Sequence, residues 1–300
     1  MTQEIEDIST DNTAVNLTTT FPHLTPQQLF DQFTQPEQLI TWWPQEAVTH
    51  VVAGGQYELK WPAMNWTLRG QYTAVSPPNG LSFTWQWDHQ PELPTRTVHL
   101  TINADGNGSR LEIEHGRYDQ TEVDQADRQS HIDGWDHFLA VLHHVSALTF
   151  YKAQIERSQT AFLNFLNDTD QDILYQKKDA EGWTPATILA HISDGRTFYA
   201  SEVARLANEQ GGAFGRPLTD HHRLETIEQG NNRAVAELES SIQSSYTQIT
   251  SALGNVQPAH LAFECEHPAY GRYTLGQIIG RFLVGHDKTH VNQIQDILNG

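Results

Sequence analysis

The segment RFLVGHDKTHVNQIQDIL, residues 281–298, places two histidines on the apolar side of a predicted helix. His286 and His290 are four residues apart, so they share one helical face. The other positions of that face are apolar: Ile279, Leu283, Ile294 and Ile297. Two imidazoles within such a stripe indicate either hydrogen-bonded core histidines or the ligands of a buried metal.

A third histidine favours the metal. His191 lies within WTPATILAHISDG, residues 183–195, between Ile188 and Ile192, and Gly195 removes bulk one turn later. Three protein ligands from two helices are typical of an open, catalytic metal site. Because imidazole must be neutral to bind a metal, we expect the affinity to fall below the ordinary histidine pKa of about 6.5.

Other polar side chains near these histidines are candidates for orienting them. Asp194, three residues after His191, is either an acceptor for an imidazole N–H or a surface carboxylate. Gln293, three residues after His290, can face the same cavity. Asp287 is predicted to point away from the ligand face. No residue is identified as a catalytic acid or base.

Residues 151–300 are predicted to form an antiparallel four-helix bundle. The second helix starts at Thr184-Pro185, a cap followed by proline, and the fourth starts at Thr274, which with Gln277 fits a capping box. The predicted helices cover about 151–167, from Thr184 to before Gly211, 221–253, and from Thr274 to the end.

Residues 13–147 are predicted to be strand-rich and to close with a long helix over 122–147. A short helix starts at Thr25-Pro26. A strand with alternating apolar residues precedes it at 14–21. After the helix, strand-like runs recur at the spacing typical of antiparallel sheets: 48–53, 55–61, 66–75, 81–88, 95–103 and 109–116. Residues 1–12 are polar and acidic without an apolar period, so we expect disorder there. The fold class is therefore α+β followed by all-α.

Composition excludes several functional classes. The formal net charge is -19, and both halves are acidic, with 6 basic and 19 acidic residues in 1–150 and 12 and 18 in 151–300. This charge argues against nucleic-acid partners. No run of apolar residues is long enough to predict a membrane span. The single cysteine, Cys265, and the lack of a secretory signal predict a cytoplasmic protein.

Tryptophan is concentrated in the first half, which holds seven of the eight. These rings either fill the core or line a cavity for an apolar ligand. The candidates for a ligand cavity are Trp66, Trp85, Trp87 and Trp135.

The first half resembles a known superfamily. The runs TPQQLFDQFTQPEQLITWWP, GGQYEL, GQYTAVSPPNGLSFTWQW and HIDGWDHFLAVL are similar to START-like SRPBCC domains, closest to the branch named after the activator of heat-shock-chaperone ATPase. The resemblance covers about residues 12–147 and implies a helix-grip antiparallel sheet with a long C-terminal helix and a cavity between them. A co-chaperone role would rest on that family name alone.

The second half resembles the DinB-like superfamily of metal-binding four-helix bundles. WTPATILAHI and TLGQIIGRFLVGHDKTHVNQI carry the resemblance, which covers about residues 151–298. It implies that His191, His286 and His290 bind a divalent metal, either nickel or zinc, with iron and manganese as alternatives.

Two hypotheses about function follow. The DinB-like resemblance implies a metal-dependent transferase or hydrolase, in which a low-molecular-weight thiol or water attacks a small electrophilic molecule. The alternative is a non-catalytic, stress-related protein that binds an apolar ligand or senses metal. Both hypotheses are compatible with a homodimer.

Overall fold

The computed structural model describes residues 5–299. The chain divides into two compact units, and the boundary lies between Ala147 and Leu148.

The first unit contains one eight-stranded antiparallel sheet. Its strands follow the predicted alternation, so that one face of each central strand is buried. They are β1 Glu6–Asp7, β2 Ala14–Phe21, β3 Glu46–Thr49, β4 Gln56–Trp61, β5 Trp66–Ser76, β6 Gly80–Trp87, β7 Arg96–Asp105 and β8 Gly108–Gly116. The order across the sheet is β1-β2-β8-β7-β6-β5-β4-β3.

Three helices accompany this sheet: α1 Pro26–Thr34, α2 Pro36–Leu39 and α3 Glu122–Asp168. The Thr25 side chain caps α1 and forms the two reciprocal bonds of a capping box with Gln28. The buried core combines inward-facing strand residues with the α3 residues Trp135, Leu139 and Leu142. The α+β fold class predicted for this half is confirmed.

Three expectations for this part of the chain change. Helix α3 continues beyond 147 to Asp168, because residues 148–150 contain neither glycine, proline nor a capping side chain. The strand predicted over 48–53 is β3, which ends at Thr49, and the chain turns before Gly54, whose φ is +84°. Of the N-terminus expected to be disordered, residues 1–4 lie outside the described part. Glu6–Asp7 pairs with β2, because backbone bonds to that edge strand order it without an apolar period.

Three buried histidines make the stability of this unit depend on pH. Burial lowers the pKa of His131 and of His143 to about 4, and it holds the pKa of His115 well below its ordinary value. In the unfolded chain each histidine titrates near 6.5. As the pH falls below about 6.5, only the unfolded state takes up these protons. The free energy of unfolding should therefore fall by about 1.4 kcal/mol per pH unit for each such histidine, until the folded pKa is reached.

Urea unfolding of the full-length protein at pH 7.5, 5.5 and 4.5 would measure this slope. His143 contacts Thr19 Oγ1 through Nε2 at 2.9 Å and stacks on Phe21. The H143Q variant keeps a polar side chain that does not titrate, so its slope should be shallower than that of the wild type. Equal slopes for the wild type and H143Q would show that His143 has the same pKa in the folded and the unfolded state.

The second unit is mainly helical. Besides the last part of α3, its helices are α4 Gln171–Gln176, α5 Pro185–Glu209, α6 His221–Glu228, α7 Val235–Asn255, α8 Leu275–Ile278 and α9 His286–Asn299. Helix α5 packs against both α7 and α9. The two predicted helix starts are confirmed, since Thr184 accepts from the backbone of Thr187 and Thr274 forms the predicted box with Gln277.

Two features of this unit were not predicted. The helix expected over 221–253 is interrupted at Gly230–Asn232, where Gly230 lies against the backbone of Thr187 so closely that a Cβ would come within 2.6 Å of Cα. The second half is also not purely helical, because β9 Gly212–Ala213, β10 Glu264–His267 and β11 Gly271–Thr274 form a small sheet. Strands of two to four residues are too short to show a period.

None of the helices in residues 5–299 has both the length and the apolar character needed to cross a bilayer.

Candidate metal centre

Two helices present the three predicted histidines. His191 lies in the second turn of α5, where every residue from Pro185 to Ser193 is buried. His286 is the first residue of α9, directly after a π-helical segment, Ile279–Gly285. A π-helix adds one residue to the turn and so rotates all that follows it. This local geometry sets the direction of His286 and His290, and the sequence period alone does not reveal it.

The three side chains converge through the same ring atom. The Nε2 atom of His286 lies 3.0 Å from Nε2 of His191 and 3.2 Å from Nε2 of His290. Nitrogen ligands at about 2.0–2.1 Å from a tetrahedral metal are separated by roughly 3.3 Å. Two of the three separations are therefore close to this value, and the three ligand atoms all lie within 4.8 Å of one another, as a single small divalent cation requires.

Hydrogen bonds determine which nitrogen of His290 carries the proton. A carboxylate only accepts, so the amide nitrogen of Gln293 donates to Asp179, and Gln293 Oε1 faces His290. His290 Nδ1 lies 2.5 Å from that oxygen and must be the donor. Its Nε2 then presents a lone pair to the other two histidines, which is the tautomer that a metal ligand needs.

The protonation states also favour a cation. Burial, followed by the nearby His290 and Arg223, lowers the pKa of His191 to about 3. The same causes hold the pKa of His286 well below its ordinary value. Burial lowers the pKa of His290, although its bond to Gln293 acts in the opposite direction. All three imidazoles are therefore neutral at physiological pH, and their Nε2 atoms lie close together.

Of the two residues predicted to orient the histidines, Gln293 contacts one of them and Asp194 does not. Gln293 orients His290, and Asp179, which sequence reasoning missed, holds Gln293. Asp194, considered either as an acceptor for an imidazole N–H or as a surface carboxylate, has a buried side chain and does not bond to His191. It forms an ion pair with Arg216 and contacts Nε2 of His222 at 3.3 Å. Among the described residues, His191 Nδ1 consequently has no hydrogen-bond partner.

Burial raises the pKa of Asp179, but backbone bonds from Trp183 and Glu181 and the Gln293 bond outweigh it. The Asp179 pKa therefore lies below its ordinary value, and the carboxylate stays ionised. The turn before α5 brings this acceptor to the site, and nothing in the local sequence distinguishes Asp179 from a surface aspartate.

A second feature missed by the sequence lies directly beneath the site. Asp287 points away from the ligand face, as predicted, but it is fully buried against Arg196. Both carboxylate oxygens accept from the guanidinium, and the shortest contact is 2.6 Å. Arg196 also donates to Gln159 at 2.7 Å. This ion pair joins α5 to α9, the two helices that supply the histidines.

An open cleft of about 1080 Å³ gives access to the three histidines. Trp183 forms part of its wall, with its ring parallel to that of His290 and edge-on to that of His191. Tyr199, Tyr270 and Phe282 form another part. A small molecule can therefore reach the convergent nitrogens.

The first unit has its own cavity, of about 150 Å³. All four tryptophans named from the sequence line it, together with residues not named then: Trp43, Trp61, Met64, Ser130, His131, Gly134 and Phe138. Trp85 and Trp135 are also part of the buried core, whereas Trp66 is 41% exposed. The rings thus fill the core and also line a cavity.

Comparison with known proteins assigns the two halves. Residues 23–147 match the family model described as activator of Hsp90 ATPase homolog 1-like protein, and residues 154–294 match the DinB superfamily. The chain joins an AHSA1-like domain to a DinB-like domain. No curated protein matches this chain.

Several solved structures are similar to the AHSA1-like half. CalU16 from Micromonospora echinospora is 17% identical, with coverage of 47% of this chain and 84% of that chain and a TM-score of 0.36. A Rhodobacter sphaeroides protein is 19% identical, with coverage of 45% and 93% and a TM-score of 0.40. An HSP90 activator from Plasmodium falciparum is 19% identical, with coverage of 42% and 91% and a TM-score of 0.35.

Gly195 gives a local test of the geometry in the DinB-like domain. A Cβ at this position would lie 3.1 Å from Cε1 of His286, so the imidazole would have to shift by a few tenths of an ångström. Alanine also raises helix propensity by up to about 1 kcal/mol. We therefore expect G195A to keep or gain thermal stability while its metal affinity falls by about tenfold or more, the range seen when the support of a ligand is disturbed.

Gly254 in α7 provides the matched control, since a Cβ there meets nothing within 4 Å. G254A should gain stability without any change in metal affinity. Competition titration with a chelating dye measures the affinity, and equal values for the two variants would contradict the assigned role of Gly195.

Proposed function

We propose that the DinB-like domain binds one divalent metal through Nε2 of His191, His286 and His290 and is a metal-dependent transferase or hydrolase. The observation that carries this proposal is the convergence of three neutral imidazole nitrogens at the base of an open cleft. A purely structural histidine cluster would need neither the cleft nor the fixed tautomer of His290. The DinB superfamily match supports the same assignment.

Nickel or zinc is the metal that we propose, with iron and manganese as the alternatives, since imidazole suits all the borderline divalent ions. When bound with open positions, such a metal lowers the pKa of a thiol or water and polarises an electrophile. The protein contributes three neutral nitrogen ligands, a Gln293–Asp179 pair that fixes one of them, and aromatic walls beside the site.

The reaction that we propose is attack by a low-molecular-weight thiol, or by water, on a small electrophile. It is tested with full-length protein reconstituted separately with nickel, zinc, iron(II) and manganese. Cysteine, glutathione and coenzyme A serve as thiols with 1-chloro-2,4-dinitrobenzene, and p-nitrophenyl acetate reports hydrolysis. At least one metal should support turnover that is lost in the H286A/H290A variant.

The H221A variant is the control for this assay, because the His221 side chain is 95% exposed and outside the three-histidine cluster. It should retain wild-type turnover. Metal binding without turnover under any condition would instead support the non-catalytic, metal-sensing alternative.

For the AHSA1-like domain we propose a ligand-binding role, based on its tryptophan-lined cavity. The cavity is small, so it suits a compact apolar group. Calorimetric titration with indole should detect binding, and the affinity should weaken in W87A. A W183A variant, which alters the one tryptophan of the second unit, should bind indole as the wild type does. Equal weakening in W87A and W183A would contradict the placement of the ligand site in the AHSA1-like domain.

A further inference from the structure

The cleft above the three histidines is lined by three arginines, Arg216, Arg223 and Arg281, in a chain of net charge -19. Among the described residues, Glu181 is the single acidic side chain that lines it. The concentration of guanidinium groups is therefore opposite in sign to the protein as a whole. Arginine is well suited to binding carboxylates and phosphates through two parallel hydrogen bonds.

Arg216 is already committed to protein partners. It forms an ion pair with Asp194, approaches Asp220 Oδ1 at 3.4 Å, and lies 4.6 Å above the ring of Phe198. These contacts fix its position and neutralise its charge. Arg216 therefore forms part of the wall and is not a free anion-binding group.

Arg223 and Arg281 differ from Arg216 in this respect. Within residues 5–299, neither has a carboxylate oxygen within 4.0 Å of its guanidinium nitrogens. Arg223 donates one hydrogen bond to the carbonyl of Leu218, and Arg281 donates one to the hydroxyl of Tyr273. A guanidinium has five N–H donors, so both have donors that these bonds do not use.

Aromatic rings hold Arg281 in place. Its guanidinium carbon lies 5.3 Å from the ring centre of Tyr270 and 5.4 Å from that of Phe282. Phe282 stacks on Tyr199 at 5.5 Å, and 49% of Tyr270 is exposed. The cleft thus combines uncommitted positive charge with an accessible aromatic surface.

We propose that this cleft takes a small molecule whose oxyanion group, a carboxylate or a phosphate, binds Arg223 and Arg281 while an aromatic or apolar part packs on Tyr270 and Phe282. The inference deepens the proposed function, because the same molecule would reach the three histidines from this side. An anion bound here would balance the charge of two guanidinium groups that have no carboxylate partner within residues 5–299.

Calorimetric titration of metal-free, full-length protein tests the proposal with three probes of similar shape: benzoate, phenyl phosphate and uncharged benzamide. At least one anion should bind more tightly than benzamide, and the R223Q/R281Q variant should lose roughly tenfold or more of that affinity, the effect of one charge-assisted hydrogen bond. Arg281 packs on aromatic rings, so its loss can disturb folding. The single R223Q variant, which keeps Arg281, tests the proposal in that case. Raised salt should weaken binding further.

Arg272→Gln is the control, since Arg272 is an exposed arginine of the same domain that does not line this cleft. Equal affinity for the anions and benzamide, or equal loss in R272Q and in R223Q, would overturn the proposal. Binding that requires added metal and is unchanged in R223Q/R281Q would place the anion on the metal, so that the metal proposal stands and this one fails. If the protein takes up no metal but its anion binding is lost in the arginine variants, this proposal stands and the metal proposal fails.

Discussion

Replacing His286 and His290 together with alanine is expected to abolish metal binding by the DinB-like domain. Purified wild-type protein should carry up to about one divalent ion per chain, because three imidazoles form one open site. With two of the three Nε2 donors gone, His191 alone does not hold the metal. Elemental analysis of protein purified without a histidine tag measures the stoichiometry.

H221A should keep the full stoichiometry, since its imidazole is exposed and outside the cluster. The Gln293→Ala variant should give an intermediate result, with affinity reduced about 10- to 100-fold, because Gln293 fixes the tautomer of His290. An unchanged metal content in H286A/H290A would refute the assignment of the site.

The pH dependence of metal retention should differ from that of an exposed histidine site. An ordinary imidazole competes with protons for the metal below about 6.5. Burial lowers the pKa of His191 to about 3 and also lowers the pKa of the other two. Protons therefore compete less, and the metal should remain bound at pH 5.5. Release already complete at pH 6 would show that the imidazoles titrate normally.

Replacing Asp287 with asparagine should lower the free energy of unfolding of the second unit by on the order of 3–5 kcal/mol. The change leaves the Arg196 guanidinium buried without a counterion, and breaking a buried pair on one side costs about 3–5 kcal/mol. Because arginine does not lose its proton in proteins, it has no means of relieving this charge. Calorimetry of the metal-free full-length protein should show a transition lowered by roughly 10 °C.

The reverse replacement, R196M, should be milder. Burial raises the pKa of Asp287 and Arg196 lowers it, so without Arg196 the carboxyl can become protonated and neutral. The uncharged R196M/D287N pair should then recover part of the stability. R205M, which breaks partly exposed pairs with Glu202 and Glu209 and a hydrogen bond to the Ala213 carbonyl, is the control and should cost about 2 kcal/mol or less. A D287N protein as stable as R205M would contradict the role of the pair.

Sequence reasoning is most successful where the deciding interactions are local. Helix starts at Thr25, Thr184 and Thr274 follow from hydrogen bonds within four residues, and the structure confirms them. The approach of His286 and His290 likewise follows from helical spacing. The alternation of strands 14–21 and 109–116 predicts which side chains are buried, because one face of each strand must pack on a core.

Interactions between distant segments were decided only by the tertiary structure. Asp194 and Asp287 are both aspartates beside a candidate ligand, yet one binds Arg216 and the other binds Arg196. The arginine that reaches each carboxylate depends on how the helices pack, and the spacing of residues carries no information about it. For the same reason Asp179 was not recognised as the group that orients Gln293.

The sequence by itself determined the two-part composition of this protein, its capped helices and three histidines suited to a metal. The tertiary structure decided how those histidines are presented: the π-helix before His286 rotates α9, and the Gln293–Asp179 pair selects the tautomer of His290. It also decided that, among residues 5–299, no carboxylate pairs with Arg223 or Arg281 above the site. Periodicity and caps act over one or two turns of chain, whereas the pairing of charges and the direction of a lone pair depend on atoms brought together from far apart.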